Sequence, residues 1–164
     1  MQQKDNNYAF IDGNNLHLGI RDAGWAVDYR KLRIYLAEKY SVTKAFLFLG
    51  FAPQYQQMYQ RLQEQGFILV FKPVTYKDGG EMKGNCDVLL TLNTLLEMPN
   101  CDGAVLITND GDFSTLVDHI VHEKKLKAVL SPQRAKCSPL LRISAKGRMA
   151  FMDDLRDKLV YKTH

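Results

Sequence analysis

The chain has few cysteines and no long apolar run, and each absence excludes a class of protein. Its three cysteines, Cys86, Cys101 and Cys137, are widely spaced, without a Cys-x-x-Cys pair. Their odd number and spacing argue against a disulfide framework or a structural zinc site. No apolar run approaches the length that a bilayer requires, and residues 1–7 lack the apolar core of a signal peptide. We therefore expect a cytoplasmic protein that does not associate with a membrane.

Internal repeats and low-complexity tracts are also absent. A chain of 164 residues with 46% hydrophobic content suits one domain with a sizeable core. We expect a single domain over residues 1–164, with a C-terminal helical region of about residues 138–160 packed on it. Ser138 and Pro139 predict the start of that region, and Gly147 predicts an interruption in it.

Acidic residues are missing between Lys124 and Met149, a stretch that contains eight basic residues although the net charge of the chain is only +4. A run of one sign is commonly a solvated surface, but it can also hold a phosphate backbone. The sequence leaves both interpretations open. Under the second, Arg134, Lys136 and Arg142 are candidate contacts to the phosphates of a nucleic acid.

The segment 104–113 organises the prediction. Its apolar, β-branched beginning predicts a buried parallel strand, and that strand ends at Asp110 and Asp112. Apolar residues at helical spacing follow Phe113, so the two acids lie in a strand-to-helix turn. Each acid alone could be a turn or helix-cap residue. In open α/β sheets, however, this edge is where ligands bind.

Strands and helices alternate along the chain. The predicted strands are 8–11, 44–50, 67–71, 104–108 and 127–130, and the predicted helices are 29–40, 55–65, 85–98 and 113–123. This alternation predicts an α/β, Rossmann-like three-layer fold. Its central parallel sheet of about five strands, in the order 3-2-1-4-5, is flanked by helices.

That strand order brings acids from distant segments together. Asp12 follows the first strand just as Asp110 and Asp112 follow the fourth, and the two strands would be neighbours about 5 Å apart. Carboxylates at that distance repel one another unless a cation or protons intervene. Oxygen ligands of this kind suit Mg²⁺ or Mn²⁺ better than zinc. Asp87 begins a helix with a partly polar flank that could face the same site, although the helix dipole alone would favour an acid there.

Three segments, in chain order, resemble the signatures of NYN domains, specifically the LabA-like branch, whose members are associated with regulation in bacteria. The segments are FIDGNNL (10–16), KGNCD (83–87) and TNDGDF (108–113). NYN domains are related to PIN-domain nucleases, so the resemblance implies a PIN-like fold and a metal-dependent ribonuclease or RNA-processing role. It also implies metal-binding, catalytic acids at Asp12, Asp87, Asp110 and Asp112. Within these segments, Asn15, Lys83 and Thr108 are candidate substrate contacts.

The chain departs from the family pattern at three places. Asn109 stands where the family often has glycine, and asparagine tolerates the left-handed conformation that glycine would provide. Asn93 replaces a second helix acid, which leaves the occupancy of two metal positions open. Lys146 follows Ala145 where the family tends to have Ala-Asp.

These observations favour a Mg²⁺- or Mn²⁺-dependent ribonuclease that hydrolyses phosphodiester bonds in RNA. One alternative is an RNA-binding or regulatory module whose acidic site has lost catalysis. Another is a small-molecule phosphohydrolase. The oligomeric state stays open, with a homodimer as one option.

Overall fold

The computed structural model describes residues 3–73, 75–76, 82–83 and 86–163, with the backbone alone at residues 73, 75, 76, 82 and 83. The side chain of Lys83, a candidate substrate contact, therefore lies outside the described part of the chain. The same holds for residues 84 and 85 of the second motif.

A parallel sheet forms the middle layer of the fold. Its strands in the described residues are β1 (Asn7–Asp12), β2 (Val42–Phe51), β3 (Phe67–Pro73), β6 (Gly103–Ile107), β7 (Leu126–Ser131) and β8 (Met149–Phe151). They lie in the order β3-β2-β1-β6-β7-β8, and each neighbouring pair is parallel. The short strands β4 (Thr75–Tyr76) and β5 (Met82–Lys83) form a separate antiparallel pair. The predicted fold class and the order of the first five sheet strands are therefore confirmed.

Strand β8 adds a sixth strand that the sequence did not predict. It is only three residues long, too short for an alternating pattern to be recognised. Its position is fixed after α6 (Pro139–Ala145), because Lys146 and Gly147 adopt positive φ angles of 47° and 82° and reverse the chain. The region 138–160, which was predicted to be helical, therefore contains a strand that pairs with β7.

Helices cover both faces of the sheet. The first is α1 (Gly13–Asp22), and the others are α2 (Tyr29–Tyr40), α3 (Gln56–Glu64), α4 (Asp87–Glu97), α5 (Ser114–His122), α6 (Pro139–Ala145) and α7 (Arg156–Leu159). Four of these correspond to the predicted helices, and α6 begins at the predicted cap. Helix α1 was missed, because its buried face is narrow and consists of Gly13, Leu16, Gly19 and Ile20.

The alternation of side chains along β1 determines which helices the site can meet. Tyr8 and Phe10 belong to a core cluster with residues of α4, α5 and α6, whereas Ala9 and Ile11 belong to a cluster with residues of α1 and α2. Asp12 continues the first series by the two-residue period of a strand. The carboxylate at the end of β1 therefore lies on the side of the sheet where α4 begins.

Two findings concern membrane proteins and disulfide-bonded proteins. Within the described residues, no helix is long and apolar enough to span a bilayer. The three cysteines all lie in the described part of the chain, where they are buried with no disulfide among them.

Candidate functional site

Asp12 links the sheet to the first helix. It is 9% exposed and caps α1, with its Oδ1 accepting a hydrogen bond from the backbone N–H of Asn15 at 3.2 Å. Strand β1 pairs with β6 so that Ile11 lies opposite Ile107, and the residues that follow are therefore level with each other. At this level the hydroxyl of Thr108 donates to Oδ2 of Asp12 at 3.5 Å. Asp12 is thus held by both neighbouring elements.

Three further acids meet beside Asp12. The acid cluster consists of Asp87 at the start of α4, and Asp110 and Asp112 in the turn after β6, and one carboxylate oxygen from each lies within 4.8 Å of the others. Oδ1 of Asp110 accepts a hydrogen bond from the backbone N–H of Asp112 at 2.9 Å, which fixes the turn. The structure therefore brings together acids that are far apart in sequence.

The pKa of Asp12 reflects its burial and the nearby acids. The pKa of Asp12 is raised from 3.8 to about 6, chiefly by burial and to a smaller extent by the negative charges of Asp87 and Asp110. The hydrogen bonds from Asn15 and Thr108 act in the opposite direction without cancelling these effects. At neutral pH an ionised Asp12 is therefore both desolvated and repelled, and a bound cation would relieve both costs.

The donor set fits a hard divalent cation. The acid cluster offers carboxylate oxygens alone, and Asp12 adds another close by. Burial raises the pKa of the thiol of Cys86, next to Asp87, and this cysteine does not belong to the acid cluster. An all-oxygen site of this charge suits Mg²⁺ or Mn²⁺.

Asn109 organises the turn that carries Asp110 and Asp112. Its backbone N–H donates to Oδ1 of Asn15 at 2.7 Å, and its carbonyl oxygen accepts from the backbone N–H of Ser138 at 3.1 Å. Its side-chain oxygen accepts from the hydroxyl of Ser131 and from the backbone N–H of Gln133. Asn109 does not have a positive φ. The idea that it replaces glycine in a left-handed conformation is therefore wrong, because the side chain is retained for its hydrogen bonds.

We expect Asn109→Ala to lower the free energy of unfolding by about 2 kcal/mol, because it removes the acceptor of two buried donors. Urea denaturation measures this change. Asn93→Ala is a suitable control, since the amide of Asn93 donates to the carbonyl of Leu89 within its own helix. A loss no larger than that of the control would contradict the role given to Asn109.

Thr108 connects two of the acids through its hydroxyl group. Its side chain is fully buried, donating to Asp12 and accepting from the backbone N–H of Asp110 at 3.1 Å. These hydrogen bonds hold Asp12 and the turn at Asp110 in position, and a contact of Thr108 with substrate stays a prediction of the sequence. Asn15 is half-buried, and its side-chain oxygen is occupied by Asn109.

The basic candidates separate into two places. The guanidinium carbons of Arg134 and Arg142 lie 4.4 and 4.9 Å from the ring centre of Phe151, and Arg134 also pairs with Asp154 at 2.7 Å. Lys136 instead lines a surface groove that also includes Asp110. Of the three, Lys136 is the one that the structure brings to the surface beside the acids.

This groove has a volume of about 460 Å³. Helix α1 lines it with residues that include Asn15 and Asp22, the turn after β6 contributes Asp110, and the segment after β7 contributes Lys136 and Ser138. Sequence reasoning missed Asp22 because it missed α1. The helical spacing of Leu16 and Ile20 after the cap at Asp12 was the signal that could have revealed it.

Gly13, the second residue of the Asp12-Gly13 pair, is required for close packing. A Cβ atom there would contact the side chain of Leu49 and would lie 2.7 Å from the carbonyl oxygen of Phe48. We expect Gly13→Ala to destabilise the fold by about 1–3 kcal/mol. That is opposite in sign to the usual gain of glycine to alanine in a helix.

Thermal and urea unfolding measure this effect, with the exposed neighbour Asn14→Ala as control in the same helical turn. A stabilised Gly13→Ala variant would show that α1 does not approach β2 as closely as described.

The comparisons with known proteins agree with this architecture. The sequence matches the family described as NYN domain over residues 8–151. The structure is similar to the crystal structure of a protein of unknown function from Vibrio parahaemolyticus, with a TM-score of 0.82 and 26% sequence identity. That match covers 98% of this chain and 100% of the other. No curated protein matches the sequence.

Proposed function

Because the chain belongs to the NYN domain family, a family of PIN-like nucleases, we propose that it is a Mg²⁺- or Mn²⁺-dependent ribonuclease that hydrolyses phosphodiester bonds in RNA. The three motifs also favour assignment to the LabA-like branch. The observation that carries the proposal is the meeting of Asp87, Asp110 and Asp112 beside a buried Asp12. Cytoplasmic location and a homodimer remain predictions of the sequence.

The residues of the chain divide into three roles. The acid cluster and Asp12 would hold the cation. When bound, that ion would orient water and stabilise the charge that develops at phosphorus. Thr108, Asn15 and Asn109 hold the acids in place through the hydrogen bonds described above. Lys136 would bind a phosphate of the RNA strand, a role that is supported by its position in the groove that includes Asp110.

The test is a cleavage assay on a panel of single-stranded and structured RNAs, with Mg²⁺, Mn²⁺ or EDTA. We expect cleavage in either metal and none in EDTA. Absence of cleavage across the panel, with salt-sensitive binding retained, would favour the RNA-binding module instead.

The small-molecule alternative is included in the same experiment. Nucleotides and simple phosphate esters are assayed beside the RNAs under identical conditions. Turnover of those compounds without cleavage of RNA would replace the ribonuclease with a phosphohydrolase.

A further inference from the structure

The groove beside the acid cluster has room for a ligand that the acids alone do not account for. The groove is open to solvent, and its volume of about 460 Å³ falls within the range of volumes of ligand sites. Asp110 belongs both to the acid cluster and to the lining of the groove. An RNA strand with its reacting phosphate at the acids would therefore place an adjoining nucleotide in this groove.

The lining indicates which part of a nucleotide fits. Beside Leu18 and two glycines, it presents amide, carboxylate and hydroxyl groups and the ammonium group of Lys136, and none of the described residues that line it is aromatic. Base stacking on proteins uses aromatic side chains, whereas phosphate and sugar contacts use polar and basic groups. The groove therefore suits a ribose and its phosphate, without selection for a base.

An ion pair lies in this groove. Nζ of Lys136 lies 2.6 Å from Oδ2 of Asp22, and their side chains are 57% and 35% exposed. An exposed pair of this kind contributes little to stability, so it can be exchanged. Asp22 is also the last residue of α1, where the helix dipole disfavours an acid. The pair therefore holds Lys136 at the groove but is weak enough for Lys136 to exchange Asp22 for another anion.

We propose that the groove holds one nucleotide of the RNA backbone and that Lys136 passes from Asp22 to a phosphate of that nucleotide when RNA binds. The inference rests on the proposed function for its substrate class. In this proposal Asp22 competes with the RNA phosphate for Lys136. Removing the charge of Asp22 should therefore strengthen the binding of RNA. If the pair served only to connect α1 to the turn at residues 134–136, its loss would lower the stability of the fold and leave the affinity for RNA unchanged.

The test measures the affinity of a fluorescein-labelled single-stranded RNA by anisotropy, in EDTA and separately in Ca²⁺. We expect Asp22→Asn to bind about 1.5-fold to fivefold more tightly than the wild type, the range that corresponds to the energy of an exposed pair. Lys136→Ala should bind RNA more weakly. The negative slope of log affinity against log salt concentration should become less steep by about 0.7, the value for one phosphate contact. The double variant should behave like Lys136→Ala.

Asp5→Asn is the matched control. Asp5 pairs with Lys127 at 3.1 Å, with side chains 53% and 35% exposed, so the same charge and an exposed pair with a lysine are removed. Asp22 differs in also lying 3.6 Å from the guanidinium of its neighbour Arg21. This pair lies at the N-terminal ends of β1 and β7, the opposite edge of the sheet from the groove. The control should leave RNA affinity unchanged.

The outcomes separate this inference from the proposed function. Equal tightening by Asp22→Asn and Asp5→Asn, no change in Asp22→Asn, or no binding by the wild type in either buffer would overturn the inference, whatever the cleavage assay shows. Tightening in Asp22→Asn alone would support the groove even if no RNA were cleaved. A thermal melt of each variant shows whether the fold is retained.

Discussion

Asp110→Asn is expected to reduce metal-dependent RNA cleavage by about 10³-fold, equivalent to about 4 kcal/mol of transition-state stabilisation. Asp110 is shared by the acid cluster and the groove, so the change removes a charge from the ligand set where the cluster borders the groove. The fold should survive, because Oδ1 of asparagine can accept the hydrogen bond that Asp110 accepts from the backbone N–H of Asp112. Single-turnover cleavage in Mn²⁺ measures the effect.

The control for this variant is Asp118→Asn. Asp118 is exposed on α5 and lies outside the acid cluster, so the same change of charge is made away from the site. Full activity is expected for this control. Equal cleavage by wild type and Asp110→Asn would show that the cluster takes no part in the reaction.

Asp12→Asn is expected to stabilise the metal-free protein at neutral pH by up to about 3 kcal/mol. The pKa of Asp12 is raised from 3.8 to about 6 by burial and by Asp87 and Asp110, so the folded state prefers the protonated form. The stability that comes from this preference is complete below pH 3.8 and is lost as the pH rises through about 6. Asparagine carries no charge at any of these pH values, and it caps a helix as well as aspartate does.

Urea denaturation in EDTA between pH 4 and pH 8 measures this prediction. The advantage of the variant over wild type should be small near pH 4 and reach its maximum above pH 6. Saturating Mg²⁺ or Mn²⁺ should reduce or reverse the advantage, because a cation stabilises the wild-type carboxylates by binding the folded state.

Asp28→Asn provides the comparison for capping. Asp28 caps α2 by accepting from the backbone N–H of Lys31 at 3.1 Å, as Asp12 caps α1, but it lies outside the acid cluster. If the stability of the two variants changed in the same way with pH and metal, the raised pKa assigned to Asp12 would be wrong.

The meeting of the acids could be predicted because it depends on strand order. Asp12 and Asp110 each follow an apolar strand, and the C-terminal ends of parallel neighbours lie at one edge. Pairing of β1 with β6 was enough to bring them together. Strand order alone could not predict that Asp87 joins them, because the direction of the side chains along β1 decides whether Asp12 faces α4. Asp87 was recognised instead through the motif in which it occurs.

The parts that were missed depend on contacts between distant residues. Asn109 suggested a backbone conformation, whereas its role comes from Ser131 and Gln133, more than 20 residues later in the chain. Thr108 was predicted as a substrate contact because it belongs to a motif, and only the packing of β6 shows that it is buried. Neither property has a local pattern from which it could be read.

Recognition of the groove failed for a related reason. Helix α1 buries small residues, and a Cβ at Gly19 would lie 2.8 Å from the Cβ of Pro132, so the helix packs closely against the segment after β7. Close packing of this kind uses glycine, which has a low helix propensity and hides the helix from sequence analysis. Asp22 was consequently given no role, and its pair with Lys136 was not predicted.

The central claim is that acids from separate segments form one divalent-cation site, and a Mn²⁺ titration followed by electron paramagnetic resonance tests it most directly. Wild type and Asp118→Asn should bind Mn²⁺ saturably, and Asp110→Asn should bind it much more weakly. Saturable binding of equal strength in all three proteins, or none in the wild type, would contradict the claim.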